Sequence, residues 1–195
     1  MEYQIRDSFI QDSNYAFHNQ VDDPIMHTAY AIRSWVIVAL TMMVLGTSCA
    51  PSEPIITIEP SVSSSVQANH MARASVTVEN IADLTAFEAH LSFDANALEV
   101  IELNDGGFIK ADFIVQKTFD NAAGTIDYAV AQIDHPPVNG SGTLFEIVFR
   151  AKAQGKSPIR FRETQAAPAG ALFSDSNGMA IQVSLINGSV SVSDS

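Results

Sequence analysis

Three histidines follow residue 49, namely His70, His90 and His135, and no two of them stand at H-x-H or H-x-x-H spacing. Close spacing of that kind lets one strand or helix offer two imidazoles to a single metal ion. Asp127 and Asp134 come nearest to a carboxylate pair for acid–base work. Nothing in the sequence turns them toward each other, and solvated surface positions account for both. Serine and aspartate are plentiful, yet there is no nucleophile elbow and no Gly-rich phosphate loop. DSNG at residues 175–178 opens like a calcium loop, but Ile186 stands where an EF-hand loop needs its late glutamate, which leaves a plain turn. The chain therefore reads as non-catalytic, with no metal and no cofactor.

Binding chemistry is better represented. In residues 84–93, Phe87, Ala89, Leu91 and Phe93 alternate with Ala86, Glu88, His90 and Ser92. That is the period-2 pattern of a half-buried β-strand, and it turns Glu88 and His90 outward. Residues 126–132 form a later strand whose outward or small-residue set includes Asp127, Ala129 and Ala131. Small side chains leave a sheet face flat, which suits a docked helix and equally suits tight sheet packing. Sugar stacking on aromatic faces has little to work with. The one tryptophan, Trp35, precedes residue 49, the only later tyrosine is Tyr128, and the nine later phenylalanines mostly hold core-phase positions.

The elements that must position these residues are strands. After residues 84–93, DANA at 94–97 turns the chain, since Asp and Asn bond their own backbone, and Leu98, Val100 and Ile101 resume a strand. Further strands are expected at 55–59, 74–79, 126–132, 143–152, 159–161, 181–185 and 190–192, with a broken apolar edge at 108–114. Residues 61–70 read as a polar connection, and turns are expected at 80–83, 104–107, 119–124, 173–178 and 187–188, with a loop at 135–142. Roughly nine short strands without a helix predict an all-β, jelly-roll β-sandwich over residues 55–193.

The N-terminal part does not read as fold. WVIVALTMMVLG at residues 35–46 is too short for the roughly 18–20 residues of a spanning helix. Behind Arg33 it reads as the apolar region of a signal peptide over residues 26–48, starting at Met26. Residues 1–25 are polar and acidic and are expected to be disordered or to come from an over-extended start. LGTSC at 45–49 is similar to a bacterial lipobox, with Leu45 one place earlier than usual, which makes Cys49 the lipidation candidate and 49–54 a short tether. A lone cysteine cannot form an internal disulfide, and at 47% hydrophobic content the chain has the makings of a core without one. The formal net charge of −12 argues against nucleic acid.

Residues 84–103, LTAFEAHLSFDANALEVIEL, together with GTIDYAVA at 124–131, GTLFEIVFRAK at 142–152, SPIRF at 157–161 and NGSVSV at 187–192, resemble the cohesin domain. The resemblance covers about residues 55–192. It implies a receptor module whose flat sheet face docks dockerin-bearing enzymes of polysaccharide breakdown. By the same resemblance Glu88 matches the acidic contact of the family, Gln132 falls where type I members have a glutamate, and Ala86 departs from their asparagine. The expected partner-binding residues are Glu88, His90, Gln132 and Asp127. The expected location is the outer face of a bacterial membrane, through a lipid on Cys49. The competing expectation is a carbohydrate-binding module of related sandwich type that takes a polysaccharide directly.

Overall fold

The computed structural model describes residues 52–60 and 64–193. The expected signal peptide, the lipidation candidate Cys49 and residues 50 and 51 of the expected tether lie outside these residues. Among the described residues there are eleven strands and no helix. In chain order they are β1 (Ile55–Glu59), β2 (Ser64–Gln67), β3 (Met71–Ser92), β4 (Leu98–Asp105), β5 (Phe113–Asp120) and β6 (Thr125–Ala131). There follow β7 (Val138–Ala151), β8 (Gly155–Phe161), β9 (Ala171–Asp175), β10 (Ser184–Ile186) and β11 (Gly188–Ser193).

The long strand β3 belongs to both halves of the sandwich. Its first part pairs β7 on one side and β1 on the other, with β4 beyond β7 and β10 beyond β1. Its second part pairs β6 and β9, with β5 beyond β6. At Leu91 and Ser92 it also meets β8, which leads to β11 and β2. The expected turn at 80–83 is thus a bend within one strand. Asn80 and Asp83 sit at φ 57° and 60°, a left-handed conformation that Asn and Asp tolerate best among residues with a side chain. The register slips on either side of Ile81, and Asn139 and Ser141 take up the freed amides of Asp83 and Asn80. The chain bends from one sheet into the other without ending the strand.

The corner after β3 forms as its residues predict. The Asp94 carbonyl accepts from the amides of Ala97 and Leu98, and its carboxylate from that of Asn96 at 2.9 Å. Elsewhere the strands run longer than local pattern shows. The connection at 61–70 contains β2, the edge expected at 108–114 lies at Phe113–Asp120, and β7 begins inside the expected loop at 135–142.

The core lies between the two halves. Tyr128 of β6 stacks on Phe145 of β7 at 4.3 Å, and Phe87 of β3 stacks near Tyr128, Phe145 and Phe173 at 5.9, 6.3 and 5.9 Å. Strands β6 and β7 share no hydrogen-bonded ladder, so this cluster is where the sheets pack face to face. Such rings bury the largest apolar areas available to a domain of this size.

Candidate functional site

Strands β9, β3, β6 and β5 turn one face outward. Across it Leu172 lies beside Glu88, Glu88 beside Ala129, and Ala129 beside Gln116. In the next row His90 lies beside Asp127, and Asp127 beside Thr118. On the other side Ser174, Ala86, Ala131 and Phe113 form a third row.

One half of the face is charged. The Nδ1 of His90 lies 2.6 Å from Oδ1 of Asp127, and the same oxygen accepts from Arg162 at 2.7 Å. Asp127 is therefore already paired twice. The other imidazole nitrogen, Nε2, faces Oε1 of Glu88 at 3.5 Å. Both atoms of that contact are buried and without a hydrogen-bond partner, as is Nε of Arg162. Buried polar atoms are rarely left so, and each costs free energy until something meets it. Glu88 thus carries the carboxylate on this face with an oxygen still to satisfy.

The other half is apolar and small. Ala86, Ala129 and Ala131 floor a hollow of about 130 Å³ whose walls are Leu172 of β9 and Val115 of β5. Phe113, opposite Ala131, extends this apolar surface along the edge, and both it and Val115 are more than half exposed. The walls stand on strands three spacings apart, about 14 Å at the usual 4.7–4.9 Å per step. An α-helix with its side chains is about 10–12 Å across.

Of the four residues expected to meet a partner, Glu88, His90 and Asp127 come together here. Gln132 does not. It is 4% exposed, its Oε1 accepts from the amide of Lys110 at 2.9 Å, and its Nε2 donates to the carbonyl of Pro136. It clasps two loops at the end of the sheet and has no polar atom left to offer outward. Its phase already showed this, for the alternation that turns Asp127 outward turns Ile126, Tyr128, Val130 and Gln132 inward. Arg162, Leu172 and Val115 had no signal in their own segments. They reach the face only through β8, β9 and β5 taking places around β3 and β6.

The remaining candidates are structural. Asp134 is in a loop and its amide donates to Asp112 at 2.9 Å, while the carboxylate of Asp127 is paired with His90 and Arg162. Asp112 also accepts from Ile133 and lies 3.0 Å from Nδ1 of His135. These bonds, that of His135 foremost, hold its carboxyl down at about 2. A depressed acid stabilises its fold above its ordinary range and loses that contribution as pH falls toward the lowered value. Acidification from about pH 4 to 2 should therefore release the 133–135 loop, read as loss of amide-exchange protection at Ile133 and Asp134, and Asp112→Asn should show the release already at neutral pH. Asp175 accepts from the amides of Met179 and Asn177 at 2.8 and 2.9 Å, which makes the 175–178 segment a turn and keeps its carboxyl below the usual range. His70 bonds the carbonyl of Ala68. Burial, helped by the charge of Asp105, pushes the Tyr128 hydroxyl up to about 12, so it stays protonated in the core. Among the described residues no three His, Cys, Asp or Glu side chains are grouped to hold a metal ion.

The family model of the cohesin domain matches residues 56–192, most of the chain and nearly all of its sandwich. The chain belongs to the cohesin family. Solved cohesins share its fold. A non-cellulosomal cohesin from the archaeon Archaeoglobus fulgidus superposes with a TM-score of 0.57 at 18% identity, over 73% of this chain and 92% of that one. A type II cohesin from the cellulosome of Acetivibrio cellulolyticus gives 0.62 at 19% identity, over 71% and 95%. A cohesin from a type I cohesin–dockerin complex of Clostridium thermocellum gives 0.61 at 16% identity, over 73% and 100%. At such identities the likeness is one of fold. No curated protein matches the chain. Cohesin domains are non-catalytic binding modules, and this one has the β-sandwich of its family.

Proposed function

We propose that the face of β9, β3, β6 and β5 docks a helical segment of a protein partner of the dockerin type, and that the partner brings enzymes of polysaccharide breakdown to the surface where this cohesin is held. The observation that carries the proposal is the alanine-floored hollow between Leu172 and Val115 with the unsatisfied carboxylate of Glu88 at its edge. The spacing of the walls suits a helix laid along the strands. Its apolar side would fill the hollow, and a lysine or arginine on the same side would meet Glu88. Attachment through a lipid on Cys49 is part of this proposal and gives the site its place outside the cell. For stacking on sugars the face offers little: Tyr128 is buried in the core, and the exposed ring among the residues of its rows is Phe113, at the edge.

The test is capture from the secreted proteins of the source organism by the immobilised protein, run beside Leu172→Asp. Leu172 is 40% exposed, so the charge should leave the fold intact. In the hollow it would strand a carboxylate against alanines, and loss of capture by a factor of about ten or more is expected for an apolar anchor of 1.4 kcal/mol or more. Retention of the protein on insoluble polysaccharide with no protein partner captured would overturn the proposal in favour of direct glycan binding.

A further inference from the structure

The charged half of the docking face is an imidazole with an acid at each nitrogen. Asp127 takes Nδ1 at 2.6 Å, and an acceptor at that distance fixes the proton of the neutral ring on Nδ1. Nε2 then presents a lone pair to Oε1 of Glu88, 3.5 Å away. Two acceptors face one another, and both are buried without a partner. A single added proton on Nε2 answers both at once. It turns the contact into a charge-assisted hydrogen bond between imidazolium and carboxylate.

We infer that His90 is a proton-operated latch on Glu88. With the ring neutral, the buried Oε1 of Glu88 is unsatisfied, and the full negative charge of a side chain that is 28% exposed is left to attract a cation from a partner. With the ring protonated, Glu88 is held by its own strand neighbour. The charged groups around the ring agree with this arrangement. Glu88 faces it from β3 and Asp127 from β6, while Arg162, past the end of β8, bonds Asp127 and so offsets one of the two acids. β5 contributes neutral Thr118 beside Asp127, and β9 is preceded by Gly170, whose carbonyl takes the His90 amide. The next row holds Arg160 opposite Ser92. A cation delivered by a partner to Glu88 competes with the proton on Nε2, so docking releases a proton and tightens as pH rises.

This inference rests on the docking proposal for its consequence, but the latch itself exists in the free protein and is tested there. Ring-nitrogen NMR of the purified protein, from pH 8 to 5, should show the His90 ring and the Glu88 carboxyl carbon shifting together. In Glu88→Gln, which keeps size and removes the charge, the His90 ring should protonate over a lower pH interval. The same interval in both proteins would overturn the latch. With a captured partner in hand, affinity should fall about tenfold from pH 8 to 5, which is about 1.4 kcal/mol of coupling. His90→Gln should bind with no such dependence, and an unchanged dependence in that variant would overturn the link from latch to docking. If no protein partner is captured but the NMR coupling holds, the docking proposal fails and the latch stands.

Discussion

Glu88→Arg is expected to weaken partner binding at least about a hundredfold, because removing one member of a buried charge contact costs roughly 2–5 kcal/mol and reversal adds repulsion. The residue sits on the outward face of β3 and its side chain is 28% exposed, so the variant should fold. Titration calorimetry against the captured partner gives the affinity, and circular dichroism gives the fold. A second arm separates charge from shape. Glu88→Gln should lose less, since an amide oxygen can still accept a hydrogen bond from the partner.

Phe145→Ala is expected to cost about 3–5 kcal/mol of stability, the usual range for emptying an aromatic site in a core. Phe145 is fully buried and stacks on both Tyr128 and Phe87 across the two sheets. Against a typical total of about 5–15 kcal/mol, that is a large share of the domain's stability. Phe113→Ala is the control. That ring is 56% exposed at the edge, and its loss should change stability by less than about 1 kcal/mol. Urea denaturation of the three proteins measures both.

How much of this was legible before the structure depends on how local the cause was. Strict alternation placed Phe87, Ala89 and Leu91 inward and Glu88 and His90 outward, and β3 obeys it. The corner at Asp94 was legible because an Asx turn is made by neighbours in sequence. The bend at Asn80 and Asp83 was not, since whether such residues end a strand or kink it is decided by Asn139 and Ser141, some sixty positions on. Strand β2 was missed for a like reason. Its residues are polar, and it exists because β11 offers it a parallel edge. At the site, the acids and the imidazole could be found from their own strands, but the ties between them could not. Arg162 reaches Asp127 only because β8 joins β3 at Leu91. Gln132 was assigned to the face by family position against its own phase, and the phase was right.

The central claim is that a protein partner sits on the face of β9, β3, β6 and β5. Hydrogen–deuterium exchange of the protein, with and without the captured partner, tests it most directly because it needs no substitution. Added protection is expected along residues 86–92, 113–118 and 127–131 and around Leu172, with β4 and β7 unchanged. Protection confined to β4 and β7, on the opposite sheet, would contradict it.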